Sequence, residues 1–436
     1  MAHEGDATFV LDQVRAHHKW FARCLPMIAS ENVLSPLARQ MLVSDFVDRY
    51  AEGHPGKRYY QGLPFIDEVE RRCNELARKL FRANQVDVRA TTGTQANIAA
   101  FFALAEAGST IAAINTSQGG HISHAKMGAV GLRGFNIVYY PFDEKEMTID
   151  AHGAAKLIRQ EKPKAALVGN SLFLFPIDVR TISEAAHEVG ARVMYDAAHV
   201  LGLIAGKQFQ DPLHEGADVM TGSTHKTLPG PPGGIVATDL PDAPEADAKF
   251  KKKLDSAVFP GTVSSHHLHH MAAKVVAFAE ALDFGEAYAK QTIANARALG
   301  QAMHEVGFRV LCEHKGFTAS HQIAVDVKDF GGGKASAELL EKCGVISNMN
   351  MIPGDQKAMN PSGIRLGAQE LTRLGMKERD MRDVAEVFQA ALVKREPPEK
   401  VAERSATLRS RFQNVHYCYR EGLPAHKLWE FLPPER

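Results

Sequence analysis

Two stretches of this chain hold residues whose types and spacing suit chemistry on an aldehyde. The apolar run Ala191-Arg-Val-Met-Tyr195 ends in Asp196, with His199 on the next turn, and further on comes Ser223-Thr224-His225-Lys226-Thr227. A carboxylate at a strand end can keep a pyridine nitrogen protonated. An amine among small polar side chains, once desolvated, can form a Schiff base. These are the two contacts that pyridoxal 5'-phosphate requires, the acid making the ring an electron sink and the lysine holding its aldehyde. Each half has an ordinary alternative, a solvated lysine or an aspartate capping a helix; order, spacing and company favour the cofactor. Thr92-Gly93-Thr94 precedes a helical pattern, so hydroxyls and free backbone N–H groups converge where a phosphate dianion binds, although an ordinary N-cap uses the same geometry.

The elements that must position these groups follow from apolar periodicity. Helix and strand patterns alternate from about residue 65 to 260: Ile66 to Phe81 and Gln95 to Ala107 read as helices, and 165–169, 191–195 and 234–237 as short apolar strands. This alternation predicts an α/β fold with a mostly parallel sheet between helices. Asp196 and Ser171 then lie at strand C-terminal ends, where such sheets bind ligands. From this position Ser171 reaches the cofactor's phenolic oxygen and His199 accompanies Asp196, though either could be a buried polar group satisfying backbone. A chain of 436 residues exceeds one core. We expect an arm (1–45), a large cofactor domain (46–285) and a smaller α+β C-terminal domain (286–436). A long helix begins within 272–284, strands follow at 307–311 and 322–326, and the charged, then aromatic tail (Tyr417, Tyr419, Trp429) reads as a helix and a packed end.

Leu25-Pro-Met-Ile-Ala-Ser30-Glu31-Asn32, Tyr50-Ala-Glu52-Gly-His-Pro-Gly-Lys-Arg58-Tyr59-Tyr60, Thr92-Gly-Thr-Gln-Ala-Asn97, Gly119-Gly-His121, Asp196-x-x-His199, Thr224-His225-Lys226-Thr227-Leu228 and Ser362-Gly-Ile-Arg365 occur in this order. In them the chain resembles serine hydroxymethyltransferase, over about residues 20 to 395. The resemblance implies a fold-type I pyridoxal-phosphate transferase with a seven-stranded sheet in its large domain. It also implies cleavage and formation of Cα–Cβ bonds of β-hydroxy-α-amino acids through a glycine quinonoid. It implies a ring-stacking role for His121, cofactor contacts for Ser223, His225 and Gly261, and substrate contacts for Ser30, Tyr50, Tyr60 and Arg365. Arg365 grips the carboxylate with its guanidinium fork. Glu52 shuttles a proton at the β-hydroxyl, with Tyr50 and Tyr60 closing the pocket. In the family the Glu52 segment comes from the partner subunit, which implies a homodimer with shared sites; some members are tetramers. Asn350 matches the pocket for tetrahydrofolate or another tetrahydropterin, with one residue fewer before Arg365, leaving the one-carbon carrier open. A folate-independent threonine transaldolase or aldolase and a non-catalytic regulatory homologue are the alternatives.

Departures from the family pattern concentrate in two loops. Gly230-Pro231-Pro232-Gly233-Gly234 has a proline where an arginine is usual. Phe259-Pro-Gly261-Thr262-Val263-Ser264-Ser265-His266 replaces Phe-Pro-Gly-x-Gln-Gly-Gly-Pro, so side chains occupy space that glycines leave open, and the His-rich segment resembles archaeal-like branches. His266, His267, His269 and His270 contain an i,i+4 pair but no cysteine or carboxylate, so no metal is expected. Lys249 to Lys253 reads as a solvated face with one apolar anchor, and Gly331-Gly-Gly-Lys334 as a mobile turn rather than a phosphate loop. Lys+Arg and Asp+Glu both number 51, which leaves no global field to attract nucleic acid or membrane. Five scattered cysteines with no CxxC, and the lack of a long apolar run, suit a reducing cytoplasm.

Overall fold

Short runs of alanine and branched apolar residues, apolar on both faces, form strands that must be covered on both sides. The computed structural model describes residues 3–356 and 359–426; Trp429 lies outside them. Among the described residues, seven strands form the large sheet. Its spatial order is Gln85–Asp87, Gly234–Thr238, Val219–Ser223, Arg192–Asp196, Ala165–Val168, Thr110–Ala113 and Asn136–Tyr139. Only Gly234–Thr238 runs against its neighbours. Alternate side chains feed opposite cores. Val193 and Tyr195 join the layer containing Ile66, Phe81 and Phe278, whereas Met194 joins the layer of Ala96, Phe101 and Phe250.

The helix read as following Thr92-Gly93-Thr94 in fact begins among them. Thr92 is its N-cap, Gly93 and Thr94 are its first residues, and it stops at Leu104 because Ala105 is extended. The Gly331-Gly-Gly-Lys334 segment is not a mobile turn: Gly332 opens a helix to Lys342, with Gly331 in the left-handed region as its N-cap. The strand expected at 307–311 is shorter, Arg309–Val310. In the lysine-rich helix Glu245–Ser256, Phe250 is the buried anchor.

The helix Leu268–Glu305 is 38 residues long, starts within the His-rich segment and runs through residue 285. Its first two-thirds pack on the large core through Met271, Phe278 and Ile293, and its last turns on the second core through Leu299 and Met303. That second core lies beside a four-stranded antiparallel sheet, in the order Arg309–Val310, Gln322–Asp326, Gly363–Gly367, Asn348–Asn350. The N-terminal segment crosses to it: Leu25–Pro26 pairs in parallel with Val345–Ile346, and Gly367 N–H donates to the Met27 carbonyl (2.8 Å). In the tail, a helix spans Pro398–Ser410, Tyr417 packs on Tyr288 and Tyr419 on Phe284.

Candidate active site

The C-terminal edge of the parallel strands gathers the predicted residues. Asp196 is the last residue of its strand and is buried. Its Oδ2 accepts from Asn97 Nδ2 (2.8 Å) and lies 3.2 Å from His124 Nε2, and its Oδ1 accepts from Ala198 N–H (3.0 Å). Burial alone would raise this carboxyl; the proximity and charge of His124, with His121 further off, outweigh it and hold the carboxyl below the usual range. Asn97 is fixed in turn by Thr221, whose hydroxyl donates to Asn97 Oδ1 (2.6 Å). The acid is therefore anionic and rigid.

Lys226 lies just past the next strand, Val219–Ser223, and is 8% exposed. Burial brings its ammonium down to about 8, the nearby Arg365 charge adds to this and the Asp196 charge opposes it. Asp196 and Lys226 leave neighbouring strands at the same sheet edge, and Arg365 is tied to that edge through the Ser171 carbonyl, which Gln322 links to His199. The Lys226 carbonyl accepts from Asn32 Nδ2 (2.7 Å), which also donates to Tyr288 Oη (2.8 Å), so the arm is pinned to the lysine loop.

Arg365 projects from Gly363–Gly367 and is 7% exposed. One terminal nitrogen donates to the Ser171 carbonyl (2.9 Å) and the other to Asn348 Oδ1 (3.3 Å); Nε is buried with no partner. Burial lowers this guanidinium to about 10. No carboxylate pairs with Arg365 among the described residues, and a buried donor left unmet costs on the order of 1–3 kcal/mol. An anionic ligand would relieve that cost.

At the helix start, Thr92 Oγ1 accepts from Gln95 N–H (3.0 Å) while Thr92 and Thr94 stay exposed. A Cβ on Gly93 would lie 2.2 Å from Ser223 Oγ, so only glycine lets this turn approach the strand end. His225 Nδ1 sits 3.4 Å from Gly233 N, and burial lowers its ring to about 4. Burial likewise lowers His121 to about 4, leaving it neutral, with Nδ1 2.6 Å from Ser123 Oγ. Ser171 N–H donates to the Gly119 carbonyl (2.7 Å). Gln322 Nε2 reaches both the Ser171 carbonyl and His199 Nδ1, each at 3.0 Å. Ser30 is half-buried on the arm beside Ala29, whose carbonyl lies 3.1 Å from His321 Nε2.

The remaining predicted residues are not brought together with Lys226. Tyr50 Oη donates to Glu52 Oε1 (3.1 Å), and the rings of Tyr50 and Tyr60 meet at 4.9 Å. This cluster is open, with Tyr50 47% and Tyr60 45% exposed, and Gly261 is exposed as well. Among the described residues no hydrogen bond or ion pair joins it to Lys226, Asp196 or Arg365. Asn350 turns its amide to the Met351 carbonyl (2.6 Å), and it is Asn348, directly opposite Arg365 in the sheet, that bonds the guanidinium. The histidines of the His-rich segment serve separate partners: His270 Nδ1 bonds the Pro232 carbonyl (2.8 Å) and His266 Nε2 faces Glu70 Oε2 (3.2 Å).

Asn32, Asn97, His124, Gln322 and Asn348 escaped the site assignment. Two of them had a signal: Asn97 is one turn beyond Gly93 on the same helix face, and Asn32 closes the motif that begins at Leu25.

The family model for serine hydroxymethyltransferase matches residues 5–388. The chain belongs to the serine hydroxymethyltransferase family. It is 52% identical over 426 residues to the serine hydroxymethyltransferase of Methanopyrus kandleri, covering 97% of each chain. It is 49% identical over 421 residues to that of Methanocaldococcus jannaschii, covering 95% of this chain and 96% of the relative. Among solved structures it is similar to L-threonine transaldolase from Pseudomonas fluorescens in its internal aldimine state, with a TM-score of 0.86, 27% identity and 96% of each chain covered. Serine hydroxymethyltransferase membership accounts for the fold-type I architecture and makes the chain an enzyme.

Proposed function

We propose that this enzyme interconverts serine and glycine, holding pyridoxal 5'-phosphate on Lys226 and exchanging the one-carbon unit with tetrahydrofolate or a related tetrahydropterin. The observation that carries this is the convergence of a buried lysine, an anionic aspartate and a carboxylate-seeking arginine on one site, in a chain of this family. The residues fit the cofactor. Lys226 supplies the amine, Asp196 the fixed negative charge, and the Thr92-Gly93-Thr94 turn the phosphate cradle. When bound, pyridoxal 5'-phosphate supplies the electron sink that permits heterolysis at Cα.

The chain's own groups direct that power. Arg365 anchors the amino acid's carboxylate through donors that include the unpaired Nε–H, which orients the remaining Cα bonds and selects Cα–Cβ. Glu52 holds or releases the proton at the β-hydroxyl oxygen, and Tyr50 and Tyr60 exclude water around it. His121, uncharged, suits packing against an aromatic ring. The exposed Tyr50, Tyr59 and Tyr60, and the apolar Phe9, Val10 and Val14 displayed by the first helix, support a homodimer in which each copy lends its Glu52 to the other's Lys226. Five free cysteines suit a reducing cytoplasm and a role in one-carbon metabolism.

Mixing the cofactor-loaded enzyme with serine and tetrahydrofolate should produce glycine, strongly stimulated by the pterin. Fast acetaldehyde release from threonine without any pterin would instead assign threonine transaldolase or aldolase chemistry. A visible absorbance that ignores added glycine would make the chain a non-catalytic homologue.

A further inference from the structure

The loop Phe259 to His266, one of the two that differ from the family pattern given above, lies between the phosphate cradle and the segment that carries Glu52. On one side Gln95, in the first turn of the Gly93 helix, donates from Nε2 to the Thr262 carbonyl (2.7 Å) while its Oε1 accepts from Thr91 N–H (2.6 Å). The loop is thereby tied to the phosphate cradle. On the other side, Ser265 Oγ accepts from Ala51 N–H (3.4 Å), the residue before Glu52. His266, nearly fully buried, places Nε2 3.2 Å from Glu70 Oε2.

Glu70 in turn holds Arg58 (2.5 Å), whose other donors reach Asp67 (2.8 Å) and the Gly53 carbonyl (2.6 Å); Asp67 also accepts from Gly56 N–H (2.6 Å). Gly53–His54 and Lys57–Arg58 pair as a hairpin directly after Glu52, so this buried network fixes the segment that carries Glu52. A further contact braces the same pair of segments, the edge-on rings of His54 and Phe259 at 6.1 Å. Ser265 and His266 occupy positions where the family has glycine and proline. A Gly-Pro pair offers neither a hydroxyl acceptor for Ala51 nor a ring for Glu70.

We propose that Ser265 and His266 are positioning residues that clamp the Glu52 hairpin to the phosphate cradle, so that cofactor binding at Thr92-Gly93-Thr94 and the placement of Glu52 are coupled in this chain. The coupling rests on the serine–glycine reading for its effect on rate, but its physical part is independent of which substrate is used. A chain of partly buried polar contacts that both ends bias is the kind of element that transmits such coupling, altering it by about two- to thirty-fold on mutation.

The test uses the full-length enzyme with and without pyridoxal 5'-phosphate. In the natural enzyme, cofactor should slow amide exchange across residues 50–60. In His266→Ala and Ser265→Gly that protection should shrink several-fold and cofactor affinity weaken, with kcat for serine cleavage falling while KM for serine stays. His266→Gln, which keeps a donor towards Glu70, should restore the protection. Cofactor-dependent protection of 50–60 that is unchanged in both His266→Ala and Ser265→Gly would overturn the proposal. So would a loss in His266→Ala that tracks lowered Tm alone and is not restored by glutamine. A wild-type enzyme inactive on serine would refute the function proposed above yet leave the exchange measurement fully decisive for the clamp.

Discussion

The buried half of the site and the exposed half solve different problems. Around Lys226, Asp196 and Arg365 many polar groups are fixed by neighbours within the same chain, while Arg365 Nε is buried without a partner. Around Glu52 the hairpin is firmly fixed, through Arg58, Asp67 and Glu70, but Glu52 is only half-buried and Tyr50 and Tyr60 face solvent. Desolvation lowers the proton affinity of Lys226, and the neighbouring His124, working against burial, lowers that of Asp196. The difference teaches that burial within one chain fixes the groups around Lys226, whereas the Tyr50–Tyr60 cluster is left open.

The comparison breaks most sharply at Lys226. Lys226→Ala should fold yet lose the visible absorbance of bound cofactor, with kcat down at least about 10³-fold; an unchanged spectrum would mean another lysine holds the cofactor. Glu52→Gln should keep that absorbance while kcat falls about 10²-fold, the range for one general acid–base group. Mixing these two inactive variants and allowing subunits to exchange should restore about a quarter of the sites, since half the dimers are hybrid and each hybrid has one intact pair. No recovery would place Glu52 and Lys226 of the same chain in one site.

Arg365→Lys keeps the charge but loses the fork, and should lower kcat/KM for serine about ten- to hundred-fold, mostly through KM. The smallest effect concerns pH. An amine held near 8 reacts only when unprotonated, so cofactor uptake by the apoenzyme should rise with pH and level off above about 8. Between pH 7 and 9 the gain is about tenfold from the unprotonated fraction alone. Stopped-flow absorbance would register it, and a rise delayed to pH 10 would mean the lysine is solvated.

Much of the site was legible because its chemistry is local in sequence. Asp196 ends an apolar strand, Lys226 follows another, and Thr92-Gly93-Thr94 opens a helix; each signal lies within a few residues. Other features resisted for the opposite reason. Gly331-Gly-Gly-Lys334 reads as a turn because glycines disfavour helices, yet packing of Ser336 and Leu340 carries a helix through them. The long helix from Leu268 was seen only from residue 272 onward, because its first turn is written in histidines.

What the sequence by itself determined is the inventory: a lysine, an acid and a phosphate turn at strand ends, set in an alternating α/β pattern whose periodicity leaves little freedom. Tertiary structure alone decided which groups act on one another. Asn32 and Gln322 come from segments distant along the chain, and only the docking of the arm and the second sheet against the first brings them within 3.0 Å of their partners. The physical reason is that side-chain pairing across domains depends on packing of apolar cores, and no short stretch of sequence encodes that distance.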